Sequence, residues 1–477
     1  MATLWRRLVA ALAAPTDPTG LAVFRFLYGT LVALGSARFL DSGWPEKLYG
    51  TPTFFFRFAG FSWVPTPDGE TARLLYTAFI VLGVGIATGT LYRFCTAAFV
   101  VLFAWVQLGD VTNYLNHYWL VLLLGALLLV VPAHARFSVD AWLLGSRRET
   151  VPFAAIAVLR VQVACVYIFA AVAKFGADWL LFGEPLAVWL PPRSSLPLIG
   201  PLLTIPVVPL LLSWCGFLYD AAIVPLLLWR RTRVVAYVLV VVFHGLTRAF
   251  FEIGMFPVIM VTATTLFFAP DWPRRLLPRR FRTKGTFVSP CAAVLRRPRA
   301  AVMGLLTPGR VAVCVVAWCA IQMAMPLRSF VIGDDVLWDE TGMRWSWRVM
   351  VRDKSGTLDY RVTFNDDTKG RRRTVFVSPH DRLTWRQVNE MIGQPDLILQ
   401  LAHAIRDDFQ ARGLSDVEVR ADCRVTLNGR PAATFIDPGV DLAREQDCLF
   451  CRPTWVMPPP TTTPPALWRT GHAMELP

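Results

Sequence analysis

Charge is scarce in this chain of 477 residues: 17% of positions are Asp, Glu, Lys or Arg, against 55% hydrophobic. That composition excludes a single soluble core, because apolar runs of about 18 to 20 residues, the length that crosses a bilayer, recur up to residue 327. Acidic residues are the scarcer sign, 34 against 48 basic, leaving a net charge of +14. A cleavable signal segment is missing: Arg6 and Arg7 precede "APTDPTG" rather than a short apolar core with a small-residue cleavage site, so the first span is expected to insert as an anchor. There is also no repeat of fixed period, no metal-ligand cluster in the apolar part, and no Asn-x-Ser/Thr sequon, the last in keeping with a bacterial inner membrane.

What is present is a series of apolar segments. Nine spans are predicted, at about 21 to 38, 73 to 91, 94 to 109, 116 to 132, 154 to 174, 204 to 228, 234 to 250, 254 to 270 and 309 to 327. Pro206, Pro209 and Pro225 make the sixth the least secure. The basic residues gather in alternate loops: between spans four and five (Arg136, Arg147, Arg148), at "WRRTR" (229 to 233), and from Asp271 to Arg310 with "PRRLLPRRFRTK" and "RRPR". With a cytoplasmic N-terminus all three loops are cytoplasmic, as the positive-inside rule asks. The excess charge therefore reads as topology, and nucleic acid is excluded as a partner.

This topology brings three polar clusters to the outer leaflet. Lys174 interrupts "VYIFAAVAKFGADWL" (166 to 180), and a helix from Phe153 rises roughly 30 Å to reach it, about one hydrocarbon thickness. The turn "DVTNYLNHYW" (110 to 119) carries Asn113, Asn116 and His117, and "VFHGLTRAFFEIG" (242 to 254) carries His244, Arg248 and Glu252. Each has a structural explanation. Lys174 could snorkel, or pair with Asp178 one turn later, and the two histidines could satisfy helix ends. The functional alternative is a general base, a role open to a lysine that desolvation leaves uncharged.

Six stretches, in order and nearly end to end, resemble the vitamin K-dependent gamma-glutamyl carboxylase family. They are "LWRRLVAALAAPTDPTGLAVFRFLYG" (4 to 29), "VLRVQVACVYIFAAVAKFGADWL" (158 to 180), "FHGLTRAFFEIGMFPVIM" (243 to 260), "LFFAPDWPRRL" (266 to 276), "WSWRVMV" (345 to 351), and "IDPGVDL" with "RPTWVMP" (436 to 458). The apolar part resembles the HTTM class to which that family belongs. The resemblance implies that Lys174 deprotonates vitamin K hydroquinone, arriving laterally from the bilayer, and that its oxidation by O2 to the 2,3-epoxide supplies the base that removes a glutamyl γ-proton before CO2 is captured. It also implies that His117 stabilises developing negative charge, and that Asn116, Arg25, Arg160 and His244 stand at cofactor-binding positions. Arg25 and Arg160 could equally be structural arginines that bind backbone or an ion partner. The other class of function left open is a non-carboxylating HTTM protein, a quinone-binding or transport module or a scaffold.

The expected architecture is thus a polytopic α-helical membrane protein (residues 1 to 327), an extracytoplasmic α+β domain (328 to 457) and a Pro-rich tail (458 to 477). In the α+β domain, "WSWRVMVRDKSGTLDYRVTFND" reads as a hairpin turning at Lys354-Ser355-Gly356, and a second hairpin turns at Asn428-Gly429. A helix over "TWRQVNEMIGQPDLILQLAHAIRDDFQARG" is expected to break near Gly393 and Pro395. Cys423, Cys448 and Cys451 permit one disulfide and a free thiol. The expected partners are a lipid bilayer, a quinone and a glutamate-containing peptide or protein. The chain ends soon after "RPTWVMP", where the animal enzymes continue into a long lumenal region, so the chemistry is expected to carry over better than the substrate.

Overall fold

A computed structural model describes residues 2–276, 307–333, 335–366, 370–447 and 453–466. Most of the long basic loop, Cys448, Cys451 and the end of the Pro-rich tail lie outside the described residues. An N-terminal helix, α1 (Ala2–Ala13), leads into α2 (Thr19–Asp41), α3 (Gly69–Thr88), α4 (Tyr92–Leu108), α5 (Asn116–Val130), α6 (Ala154–Lys174), α7 (Val208–Leu228), α8 (Arg233–Phe250), α9 (Phe256–Thr264) and α10 (Pro308–Leu327). Six of these, α2, α3, α6, α7, α8 and α10, are long and apolar enough to cross a membrane. The other three predicted spans are shorter apolar helices, α4, α5 and α9 with its extension to Phe267. Leu74, Phe94, Val101, Leu218, Val235 and Val313 are exposed on the helical exterior, apolar surface that lipid would cover.

Small residues let the helices approach closely. A Cβ on Gly29 of α2 would stand 2.5 Å from Gly83 O, and one on Gly83 of α3 would stand 2.8 Å from Gly29 O, so the two backbones touch where neither residue has a side chain. The prolines flagged in the sixth span are accommodated. Pro206 precedes α7, Pro209 occupies its first turn, and Pro225 sits one turn from its end.

Beyond α10 lies a four-stranded antiparallel sheet of β1 (Gly356–Asp366), β2 (Arg371–Val377), β3 (Ser415–Val425) and β4 (Ala433–Thr434), in the order β2-β1-β3-β4. Leu358, Tyr360, Val362 and Phe364 of β1 alternate inward with Val417, Val419, Ala421, Cys423 and Val425 of β3. They pack on α12 (Pro395–Ala411), which follows α11 (Trp385–Met391) after the break expected at Gly393 and Pro395. Phe56, Phe58 and Val111 from the helical part enter the same core. Asn428 and Gly429 both have positive φ, and Arg430 N–H closes their turn on Leu427 O at 3.0 Å, as Asn-Gly predicts. Cys423 is a buried free thiol that burial pushes up to about 12.

The first hairpin is corrected. β1 begins at the expected turn and pairs with β2 and β3, while 345–351 forms turns, with Trp345, Trp347 and Met350 at positive φ. The physical reason is burial. Trp347 is 1% exposed in the core of the helical part, and Lys354 Nζ is drawn inward to Gly393 O at 2.8 Å and Glu340 Oε1 at 3.1 Å.

Candidate active site

α6 ends at Lys174 because its next residue, Phe175, leaves helical conformation. The break swings Asp178 away, so the i,i+4 pair that a continued helix would allow does not form. Asp178 instead receives Arg430 Nη1 and Nη2, each at 2.7 Å, and Asn428 Nδ2 at 2.8 Å. Lys174 turns inward: its Nζ lies 2.9 Å from Asp220 Oδ2 and 3.4 Å from Ala170 O, with the ring of Trp179 at 5.1 Å. Both partners are buried, their side chains 8% and 7% exposed, so each charge has its counter-charge within the protein.

Lys174 and Asp220 line a cavity of about 180 Å³ with Tyr167, Trp179, Phe243 and His244. His244 Nε2 lies 3.2 Å from the Tyr167 hydroxyl, and its Nδ1 has no hydrogen-bond partner among the described residues. The wall also includes Cys215 of α7 and Leu246 of α8, both exposed on the helical exterior. The cavity wall therefore borders the helical exterior between α7 and α8. An apolar, aromatic slot with an amine, a carboxyl group and an unpartnered imidazole nitrogen fits a planar aromatic diol.

A second cavity, of about 810 Å³, is lined by Asn116 and His117. Phe251, Ile253, Phe256 and Val349 belong to both walls, and the Phe256 ring stands 6.2 Å from that of His117 and 5.7 Å from that of His244. Asn116 Oδ1 accepts from the Tyr114 hydroxyl at 2.9 Å, which in turn accepts from Trp345 N–H at 2.8 Å. The segment 345–351 is thereby tied to the start of α5.

Residues 13–272 match the HTTM domain family, and residues 308–462 match the vitamin K-dependent gamma-carboxylase lumenal domain family. The chain belongs to the HTTM family, in its gamma-glutamyl carboxylase type. No solved structure matches it. Within this HTTM protein the structure brings Lys174, His244, His117 and Asn116 to two cavities with a common wall, and it does not bring Arg25 and Arg160 there. Arg25 donates to Phe137 O at 2.6 Å, and Arg160 donates to Leu266 O and Phe268 O at 2.7 and 2.9 Å. Arg160 stands about 21 Å below Lys174 on the same helix. Both bind backbone, the alternative their sequence positions left open. Sequence reasoning passed over Asp220, although an acid in the otherwise apolar α7 was itself a signal.

Around this site the sheet domain docks through polar contacts. Trp189 Nε1 donates to Asp353 Oδ1 at 2.7 Å, and Asn428 Oδ1 accepts from Asp353 N–H at 2.8 Å. Glu184 is fully buried beside this network, and burial, then Asp178 and Asp353, push its carboxyl up to about 8.

Proposed function

We propose that this protein oxidises vitamin K hydroquinone to its 2,3-epoxide and carboxylates glutamyl residues, using O2 and CO2. The supporting observation is Lys174 Nζ, buried beside Asp220 in an aromatic cavity whose wall borders the helical exterior, in a chain of gamma-carboxylase type. In this reading nine segments cross the membrane with the N-terminus in the cytoplasm, α4, α5 and α9 being short spans, and the sheet domain is extracytoplasmic.

Oxidation of bound hydroquinone by O2 supplies the basicity that a lysine lacks towards a glutamyl γ C–H. Lys174 takes the phenolic proton at Nζ. Its own proton first passes to Asp220 Oδ2, across 2.9 Å, which leaves a free amine and a neutral acid in place of an ion pair. Tyr167 and His244 would hydrogen-bond the bound hydroquinone, Trp179 and Phe243 would pack against its ring, and the apolar wall would exclude water. His117 and Asn116, across the wall at Phe256, face the larger cavity, where the peptide is placed and where a histidine donor stabilises negative charge.

The test is product analysis of purified protein given vitamin K hydroquinone, a glutamate peptide and labelled bicarbonate. Epoxide and labelled γ-carboxyglutamate are expected. Lys174→Ala should abolish both, and Lys174→Arg should not restore them, since a guanidinium stays protonated. Normal epoxide formation by the alanine variant removes Lys174 as the base.

A further inference from the structure

The larger cavity carries charge that this proton transfer does not use. Arg38, near the end of α2, is exposed in its wall, and its guanidinium has no hydrogen-bond or ion-pair partner among the described residues. A Cβ built on Gly254 would stand 4.0 Å from Arg38 Nη1 and 3.9 Å from His117 Nε2, so the two groups converge on one point. Gly254 leaves that point open. It has φ of +59°, and Arg248 Nη1 holds its carbonyl at 3.0 Å.

The other charged side chains in the wall leave Arg38 unneutralised. Arg386 is committed to Asn113 Oδ1 at 2.6 Å and Thr112 O at 3.0 Å. Glu252, the acid in this wall, has a side chain 89% exposed and lies 3.6 Å from Arg193. An uncommitted guanidinium is a planar fork of donors matched to a carboxylate, and the volume of about 810 Å³ admits a side chain together with the peptide that bears it.

We propose that this point is a carboxylate subsite in which Arg38 receives the glutamyl side chain of the substrate beside His117. The proposal rests on the carboxylase reading for the identity of the carboxylate. Bicarbonate offers the same chemistry, and the test separates the two.

The full chain in detergent is titrated with a short peptide bearing one glutamate, with the same peptide bearing glutamine, and with sodium bicarbonate. Wild-type protein should prefer the glutamate peptide by about tenfold or more, the worth of one charge-assisted pair. Arg38→Gln should lose that preference, and Arg38→Lys should retain part of it. The wild-type comparison of the two peptides needs no variant, and thermal melts confirm the fold of the others. No preference in the wild type, or an undiminished preference in Arg38→Gln, overturns the proposal. Displacement of the glutamate peptide by millimolar bicarbonate from wild type also overturns it, assigning the site to bicarbonate instead. Hydroquinone oxidation by wild type without peptide is measured separately, so failure of the carboxylase reading and failure of this subsite give different results.

Discussion

Lys174 Nζ and Asp220 Oδ2 stand 2.9 Å apart, each side chain shut away from solvent, joining the last residue of α6 to the middle of α7. Removing one partner of such a pair costs about 3–5 kcal/mol, because the other charge stays buried alone. Asp220→Asn should therefore lower the thermal midpoint as well as abolish hydroquinone oxidation. Lys174→Met combined with Asp220→Leu should regain the midpoint and stay inactive. A double variant no more stable than Asp220→Asn would show that the lost charge pair is not the cause.

The pH dependence of stability should carry the mark of Glu184. Its folded-state value of about 8 lies above the ordinary 4.5, so the stability it contributes is fully present below pH 4.5 and is lost as pH rises through about 8. Glu184→Gln removes that titration. The variant should melt a few degrees higher than wild type at about pH 8.5, with a flatter profile between about pH 5 and 8. Parallel profiles for the two proteins would rule Glu184 out.

Arg430 and Asp178 form the two-pronged contact between the sheet domain and the chain just past Lys174, with side chains 13% and 14% exposed. A double-mutant cycle on Arg430→Ala and Asp178→Asn should return a coupling of about 1–3 kcal/mol. Arg430→Lys should recover less than half of it, since an ammonium cannot meet both oxygens along the plane of the carboxylate. Additive effects of the two single changes would mean the contact contributes nothing to docking.

Topology is open to labelling. In a cysteine-free background, a cysteine at exposed Arg231 should resist a membrane-impermeant thiol reagent in intact cells, and one at exposed Arg371 on β2 should react. The reverse pattern would place the candidate site on the cytoplasmic side.

Local signals were legible in the sequence where local forces decide. The helix Ala154–Lys174 occupies the predicted 154 to 174, the Asn428-Gly429 turn forms, and the break at Gly393 and Pro395 separates α11 from α12. α4 fills its predicted span, while α5 and α9 stop short of 132 and 270; α5 ends where Val131, ahead of Pro132, turns extended. The partners of charged groups were not legible. Lys174 and Asp178 differ by four positions, yet their partners Asp220 and Arg430 lie 46 and 252 residues from them. Nor was the path of 345–351, where alternation suggests a strand and the burial of Trp347 overrides it at the expense of three positive-φ side chains.

Phe256 and Val349 are a party wall between two rooms. A tenant on one side that pushes this wall changes the space on the other. By reciprocity the second tenant then alters the hold on the first by the same factor. Quinol affinity measured with and without peptide, and peptide affinity measured with and without quinol, must close the same thermodynamic square. Shortening the Phe256 side chain should shrink both ratios together.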